Sequence, residues 1–364
     1  MAGAELIPVV VVSGFLGSGK TSLLRVVLRG AADTAVIVNE FGAIGLDHQL
    51  LRASEERVEL VGGGCACCTR REDLVHTLRD LLDDRDRGRA ELRRVVIETS
   101  GLADPAPIVF TITNDPMLRH HFRIERLVVT VDAVNGIGQL AAHPEVAKQV
   151  LVADELVITK VDLVGAEVRE GLTAALASLN PAATIGTAIH GLIASEPLRP
   201  APGAATVGLA VAVPGAIASQ GAPGHTDDVR TLRVSADDPL DWLGFAVWLS
   251  MLLHAHGEGV LRVKGLLELD DGTLVSVNGV QHVVHMPEHL PPGAIPDASG
   301  GIVFITRGVD PDRLRESLEA FQLLARSYGS VARPLGGAGV PVRTASVTRS
   351  AAAAAGPGPC APPR

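Results

Sequence analysis

A glycine-rich segment lies near the N-terminus, between a valine-rich run and a helix pattern. It reads GFLGSGKT from Gly14 to Thr21 and fits the spacing G-x-x-x-x-G-K-[ST]. Glycines allow the backbone to turn its N–H groups towards an anion, and the following helix N-terminus adds a positive dipole. The segment therefore predicts phosphate binding, with Lys20 on the β- and γ-phosphates and Thr21 as a ligand of Mg²⁺. The residues expected around the phosphates are Gly14, Gly17, Ser18, Gly19, Lys20 and Thr21.

A carboxylate and a glycine follow a second apolar run. The predicted strand Arg94–Glu98 ends in the acid, and Gly101 comes three residues later. A carboxylate at a strand end can hold Mg²⁺ or its water, and the glycine can approach the γ-phosphate. Glu98 could instead cap the next helix. Beside the glycine-rich segment, the pattern favours the nucleotide interpretation, in which Lys20, Thr21 and Glu98 carry the catalysis.

The segment from Thr159 to Asp162 reads TKVD, which is similar to the guanine-specificity motif NKxD with Thr in place of Asn. Asp162 could accept hydrogen bonds from N1 and N2 of guanine, a donor pair that adenine does not offer. Lys160 would then lie along the base and brace the loop. The alternative is an ordinary surface turn after a strand.

Three cysteines fall within four positions, in the sequence GGGCACC from residue 62 to residue 68. Thiolates are soft ligands that suit zinc and similar ions, and the glycines would let the three sulfurs converge. Three ligands leave one position open, which suits a site that releases its metal. The alternatives are a redox pair and buried apolar cysteines. The predicted ligands are Cys65, Cys67 and Cys68.

Composition and charge exclude several classes of protein. The net charge is −9, and aromatic residues make up only 3% of the chain, so a surface for phosphate backbones and stacked bases is not expected. The longest uncharged window, residues 200–224, is interrupted by prolines and indicates a linker and not a membrane span. We see no signal-peptide pattern. The cysteine spacing does not suit a disulfide framework, so we expect a cytoplasmic protein with no membrane or nucleic-acid partner.

Short β-branched runs alternate with helix patterns in the first half of the chain. This alternation, together with continuous apolar runs, predicts an α/β domain with a mostly parallel sheet covered on both faces. We place this domain at residues 5–195. The predicted strands are Leu6–Ser13, Thr34–Asn39, Val58–Val61, Arg94–Glu98, Arg126–Val131 and Glu155–Thr159.

The second half changes pattern after a stretch rich in Pro, Ala and Gly. We predict a flexible linker at residues 196–227, a small α+β domain at 228–332 and a disordered tail at 333–364. The elements predicted in the α+β domain are the strands Val229–Val234, Val260–Leu269, Thr273–Val280, Gln281–His285 and Ile302–Thr306 and the helices Pro239–His254 and Pro311–Arg326.

Taken together, these motifs resemble those of CobW-type P-loop GTPases, a family of cytosolic metallochaperones that handle zinc, cobalt or iron. The resemblance rests on GFLGSGKT, NEFGAIGLD (Asn39–Asp47), GGGCACC and ETSGLADP (Glu98–Pro105), and on two segments of the second domain that are similar to the family's C-terminal signature, Leu261–Gly265 and Gly279–His282. The resemblance implies a P-loop NTPase fold, a GTP site and a metal motif at the three cysteines. It further implies a switch around Glu40 and Asp47, with Glu40 as a metal ligand, and a γ-phosphate sensor at Glu98–Gly101.

The function expected from the sequence is a GTPase that binds Mg²⁺, GTP or GDP, and Zn²⁺ (or Co²⁺ or Fe²⁺), and that delivers the metal to a client metalloenzyme. We expect a monomer or a metal-dependent dimer. The alternative is a zinc-responsive regulator or scavenger that binds nucleotide without delivery to a client. A small-molecule kinase is a third interpretation, but the sequence shows no arginine lid and gives the cysteines no role in it.

Overall fold

The structure is a computed structural model. It describes residues 6–28, 33–39, 58–61, 68–193, 229–235, 240–269, 272–281, 283–285, 287–290 and 301–331.

A mainly parallel sheet forms the centre of the first domain. Its strand order is β3-β2-β4-β1-β5-β6-β7-β8, and neighbouring strands run parallel except at the last pair. The strands are β1 (Ile7–Gly14), β2 (Thr34–Asn39), β3 (Val58–Val61), β4 (Arg94–Thr99), β5 (Phe122–Asp132), β6 (Glu155–Thr159), β7 (Thr184–Ile189) and β8 (Leu192–Ile193).

Helices cover both faces of this sheet, which explains the unbroken apolar runs in its strands. Val9, Val10, Val11 and Val12 of β1 are at most 1% exposed, and alternate ones belong to two different buried clusters. The helices are α1 (Lys20–Val27), α2 (Cys68–Asp86), α3 (Ala106–Asn114), α4 (Gly136–Ala142), α5 (Pro144–Val152) and α6 (Ala166–Leu179).

The second domain is an antiparallel sheet with two helices. Its strand order is β12-β11-β10-β14-β9, with β13 paired to β11. Phe245, Trp248 and Phe304 lie in the apolar cluster between sheet and helices. The elements are β9 (Val229–Ser235), α7 (Trp242–His256), β10 (Val260–Glu268), β11 (Leu274–Val280), β12 (Val283–Val284), β13 (Glu288–Leu290), β14 (Gly301–Arg307) and α8 (Pro311–Val331).

The predicted fold class is confirmed: a P-loop-type α/β domain with a mostly parallel sheet, and a smaller α+β domain. The predicted strand at 281–285 is shorter than expected, because Gln281 has a φ of 52° and forms the turn before β12. The predicted linker at 196–227 and tail at 333–364 lie outside the described residues, and the domain boundaries stay predictions. Within the described part, no helix is both long and apolar enough to cross a bilayer.

The second sheet contacts helices of the first domain through an apolar layer. Leu261 and Val280 of the second sheet belong to the same buried cluster as Val146 and Val150 of α5. The register of β10 shifts between Val260 and Arg262. Such a bulge redirects side chains, which lets Leu261 and its neighbour Arg262 both contact the first domain.

Buried charges lie beside this layer. Arg262 is fully buried and its Nη2 donates to Asp154 Oδ1, while Lys264 Nζ is 3.4 Å from the same oxygen. Burial alone would raise the pKa of Asp154, but the charges of Arg262 and Lys264 hold it well below its usual range. Burial raises the pKa of Glu155 to about 7, although Arg126 opposes the shift, and burial lowers the pKa of His285 to about 4. The domains therefore share an ionic cluster as well as an apolar contact.

Candidate nucleotide site

The loop between β1 and α1 has a backbone that requires glycine. Gly14 has a φ of 140°, and a Cβ there would lie 2.3 Å from Thr130 Oγ1 and 2.5 Å from the Thr130 carbonyl oxygen. Gly17 and Gly19 have φ values of 72° and 94°. Side chains other than hydrogen are strained at these angles, so the three glycines of the motif are explained by the local backbone. The loop delivers the chain to the N-terminus of α1.

Lys20 is the first residue of α1, and its side chain folds over this loop. Its Nζ donates to the carbonyl oxygens of Gly14 at 2.9 Å and Phe15 at 3.3 Å, and the residue is 9% exposed. A buried ammonium held by carbonyl dipoles keeps a positive charge inside the turn of the loop. The structure thus places Lys20 where the sequence predicts a phosphate-binding cation.

Thr21 and Glu98 meet at the carboxyl edge of the sheet, although 77 positions separate them in the chain. Thr21 Oγ1 donates to Glu98 Oε1 at 3.1 Å, and Glu98 is 4% exposed near the end of β4, next to β1. A hydroxyl and a carboxylate in contact are hard oxygen ligands of the kind that Mg²⁺ prefers. The contact follows from the parallel pairing of β1 and β4, which brings both strand ends to one edge.

Lys160 has a left-handed backbone, with a φ of 57°, directly after β6. Its Nζ donates to Asp132 Oδ2 at 2.7 Å, and the other Asp132 oxygen accepts from the Val134 N–H at 2.8 Å. Burial would raise the pKa of Asp132, but the hydrogen bonds from Lys160, Asn135 and Val134 hold it below its ordinary value. Asp132 therefore stays ionised and fixes the position of Lys160.

Thr159, which stands where Asn is commoner, bridges β6 to the loop between β1 and α1 (residues 14–21), the predicted phosphate loop. Its Oγ1 donates to the Ser18 carbonyl oxygen at 2.7 Å, and Ser18 Oγ lies 2.6 Å from Thr130 Oγ1. Asp162 lies nearby with a side chain that is 29% exposed, and its Oδ2 is 3.9 Å from His190 Nε2. The hydroxyl of Thr159 thus connects the loop that carries Lys160 and Asp162 to the phosphate loop.

Gly101 lies against the phosphate loop itself. A Cβ on Gly101 would lie 2.7 Å from the Leu16 nitrogen and 2.9 Å from its Cα, so the two backbones are in contact. The carbonyl oxygens of Gly101 and Ala103 both accept from Gln149 Nε2, at 3.1 Å and 3.0 Å. The structure brings the predicted γ-phosphate sensor next to the predicted phosphate site.

Asp132 and Gln149 were missed by the sequence analysis. Asp132 is the last residue of the apolar strand β5, and Glu98 is the last but one residue of β4. A carboxylate at the end of an apolar strand was therefore a signal that could have identified Asp132. Gln149 stands inside a helix with no motif around it, so no sequence signal was available.

The predicted metal site is only partly within the described residues. Cys65, Cys67, Glu40 and Asp47 lie outside them, and Cys68 is the first residue of α2. The chain leaves β3 at Val61, at the same edge of the sheet as the phosphate loop. Among the described residues, no group of three or more His, Cys, Asp or Glu side chains could hold a metal ion.

Two family models match the chain, one over each domain. The model "CobW/HypB/UreG, nucleotide-binding domain" matches residues 8–187, and "Cobalamin synthesis protein cobW C-terminal domain" matches residues 229–322. The first match includes the phosphate loop, Glu98, Lys160 and Asp162.

Individual relatives agree with these matches. The chain is 33% identical to the zinc chaperone YjiA of Escherichia coli strain K12 over 276 residues, which is 72% of this chain and 82% of the relative. It is 40% identical to the zinc chaperone CobW of Pseudomonas aeruginosa over 155 residues, which is 39% of this chain and 40% of the relative. A crystal structure of a Zn(II)-bound triple mutant of YjiA GTPase has a TM-score of 0.65 and 25% identity, and the match covers 88% of this chain and 100% of that one. Since both domains match and the similarity to YjiA spans most of both proteins, the chain belongs to the CobW family of P-loop proteins.

Proposed function

We propose that this chain is a cytoplasmic metallochaperone that hydrolyses GTP, binds zinc (or cobalt or iron) through Cys65, Cys67 and Cys68, and delivers the ion to a client metalloenzyme. The names of its relatives, zinc chaperone and GTPase, support this proposal. The observation that carries it is the contact of Thr21 with Glu98 beside Lys20 in the glycine loop.

Phosphates would bind to the loop from Gly14 to Thr21. Its glycine backbone and the N-terminus of α1 would supply N–H donors, and Lys20 would exchange its carbonyl partners for phosphate oxygens. Thr21 and Glu98 would hold Mg²⁺, directly or through water, and this ion would neutralise charge on the β- and γ-phosphates. Gly101 would donate its N–H to the γ-phosphate, because its backbone already touches the phosphate loop.

The guanine base would bind beyond β5, at the end of β6. In the strand order, β6 lies two positions from β1, which is about 10 Å along the edge of the sheet. Asp162 would accept from N1 and N2 of guanine, while Asp132 holds the ammonium of Lys160 in place. A carboxylate acceptor of this kind discriminates against adenine, which leaves it unpartnered.

The metal would bind at the opposite end of the same edge. Three strand positions separate β3 from β1, or about 14 Å. Six residues connect Val61 to Cys68, so the chain between them would span at most about 20 Å from the edge that holds the phosphate loop. The segment with Glu40 and Asp47 follows β2 in the sequence, and β2 itself lies between β3 and β4, the strand with Glu98. Metal, switch and Mg²⁺ would therefore share one edge, either in a monomer or in a metal-dependent dimer.

Phosphate release from radiolabelled GTP tests the hydrolytic part of this proposal. We expect Lys20→Ala to lower kcat/KM at least about 100-fold, because a charge on the β- and γ-phosphates is removed, while the fold is retained. Lys148→Ala, which removes an exposed lysine from α5, is the matched control and should keep wild-type activity. Wild-type turnover in Lys20→Ala would contradict the site.

Delivery is tested with metal-free client candidates. A metallochaperone should hydrolyse GTP faster with one particular apo-enzyme and transfer its zinc to that enzyme. Unchanged hydrolysis, with metal retained against every apo-enzyme tested, would favour a regulator or scavenger. Transfer of the labelled phosphate to a small molecule would indicate a kinase instead.

A further inference from the structure

Gln149 lies on α5 and contacts the loop after β4 from its buried side. The residue is 1% exposed, and its Nε2 donates to both the Gly101 and the Ala103 carbonyl oxygens. The two backbone carbonyl oxygens fix the orientation of the Gln149 amide. If the amide were flipped, its Oε1 would face them and be repelled. One side chain thus sets the position of this loop.

The other end of the same amide is unusual. Gln149 Oε1 is buried and has no hydrogen-bond partner among the described residues. A buried acceptor without a donor is unfavourable, so an arrangement of the loop that brings an N–H to this oxygen would be stabilised. Within the described structure, Gln149 therefore binds this loop through Nε2 alone.

The helix of Gln149 also contacts the phosphate loop. His143, directly before α5, stacks on Phe15 with ring centroids 4.6 Å apart and an interplanar angle of 29°. Phe15 is one of the residues whose carbonyl accepts from Lys20, and its neighbour Leu16 touches Gly101. The helix therefore contacts both loops that would surround the γ-phosphate.

We propose that Gln149 is a positioning residue for GTP hydrolysis. It holds the backbone of Gly101 and Ala103 at the distance from the phosphate loop at which Gly101 can contact the γ-phosphate. This inference rests on the proposed GTPase function. Gln149 does not touch the nucleotide. It acts through the backbone of Gly101, so its loss should affect GTP more than GDP, because only GTP has a γ-phosphate.

Gln149→Met tests the proposal, since methionine keeps the length of the side chain and removes the hydrogen bonds. We expect kcat to fall about 10-fold, the affinity for a non-hydrolysable GTP analogue to fall several-fold, and the affinity for GDP to stay within about 2-fold. The readouts are phosphate release and titration of the two nucleotides.

Gln149→Glu is a second variant with a chemical signature. An ionised carboxylate would repel the two carbonyls, whereas a protonated one can donate to one of them, and burial favours the protonated form. We expect kcat of this variant, relative to wild type at each pH, to rise as pH is lowered from about 8 to about 6. A purely structural role would instead change the folded fraction with pH and leave kcat per folded molecule constant, so the folded fraction is measured by circular dichroism at each pH.

Asn180 supplies a matched control at the other end of α5. It is fully buried, and its Nδ2 donates to the carbonyl oxygens of Val150 at 2.7 Å and Ala153 at 3.0 Å. Asn180→Asp should lower the thermal midpoint and leave the ratio of analogue to GDP affinity unchanged. If Gln149→Met behaves like Asn180→Asp, with wild-type kcat and ratio, Gln149 only supports the fold and the inference is wrong. If the wild-type chain binds GTP but does not hydrolyse it, the proposed function fails. The ratio of GTP-analogue affinity to GDP affinity, compared between Gln149→Met and wild type, still decides whether Gln149 positions the loop.

Discussion

At the scale of single residues, the proposed recognition of guanine depends on Asp162. Its carboxylate would offer two acceptors to the N1 and N2 donors of guanine. Replacing the carboxylate with an amide therefore changes which base matches the side chain. Asp162→Asn should weaken GTP binding about 10- to 100-fold and make xanthosine triphosphate the better ligand, because an amide pairs with one donor and one acceptor. Competition binding with GTP, xanthosine triphosphate and ATP measures this change.

Glu167→Gln, an exposed acid at the start of α6, is the control and should leave the order of affinities unchanged. Equal affinity of wild type for ATP and GTP would contradict the role of Asp162. The presence of Thr159 in place of the commoner Asn should not remove the preference for guanine. The Thr159 hydroxyl already holds the end of β6 to the phosphate loop, through its hydrogen bond to the Ser18 carbonyl oxygen.

At the scale of elements, two titratable groups lie near the domain contact: Glu155 at the start of β6 and His285 directly after β12. Glu155 faces Arg126, Asp154 and Lys264, and its raised pKa of about 7 means that the folded protein binds its proton more tightly than the unfolded chain does. Its contribution to stability is full below the ordinary pKa of 4.5 and is lost as pH rises to about 7. His285 acts in the opposite direction, since its pKa falls from 6.5 to about 4, so its contribution is lost as pH falls through that window.

The stability difference between each variant and wild type should reveal the titration of the group that the variant replaces. The free energy of unfolding of Glu155→Gln, minus that of wild type, should rise with pH between 4.5 and 7, by about 1 to 3 kcal/mol. The same difference for His285→Asn should fall as pH rises from 4 to 6.5. Urea unfolding at a series of pH values measures both differences. Differences in free energy of unfolding that do not change with pH, for both variants, would show that these groups titrate normally. Glu145→Gln, which replaces another acid, on α5, is the control.

Parts of the fold and of the candidate site could be predicted from the sequence where a single local segment determines them. The phosphate loop was predictable, because the φ angles at Gly14, Gly17 and Gly19 demand glycine at fixed spacing. The contacts of Gln149 with Gly101 and of Asp154 with Arg262 were not, because they join positions 48 and 108 residues apart. The strand β7 also gave no pattern, since Gly186 and Ala188 interrupt its β-branched residues.

At the scale of the whole molecule, the buried pair of Asp154 and Arg262 joins the two domains. Removing Arg262 leaves Asp154 buried with Lys264 as its remaining cation, so Arg262→Met should lower the free energy of unfolding by about 3 kcal/mol, the lower end of the range for a broken buried ion pair. Asp154→Asn with Arg262→Met should cost less than the sum of the single variants, because the double variant removes both charges of this pair. Lys264 loses its contact with the carboxylate in Asp154→Asn and in the double variant alike, so that loss does not enter the coupling between Asp154 and Arg262. A double-mutant cycle by urea unfolding measures this coupling, and additive losses would show that the pair does not act as a unit.

We propose that nucleotide and metal order the same edge of the parallel sheet. Each ligand that prefers the ordered state raises the affinity for the other by the same factor, typically about 5- to 150-fold. Cys67→Ser and Cys68→Ser should lose tight zinc binding and its dependence on nucleotide, while GTP still binds. Cys360→Ser, which removes the cysteine outside the motif, should behave like wild type.

The most direct test is a zinc competition titration of the full chain with a chromophoric chelator, at one fixed pH because thiolate ligation releases protons. The titration is done once with GDP and once with a non-hydrolysable GTP analogue. We predict zinc affinities that differ at least about 5-fold between the two nucleotides. Identical affinities in the two states would contradict the coupling, even if the chain hydrolyses GTP and binds zinc.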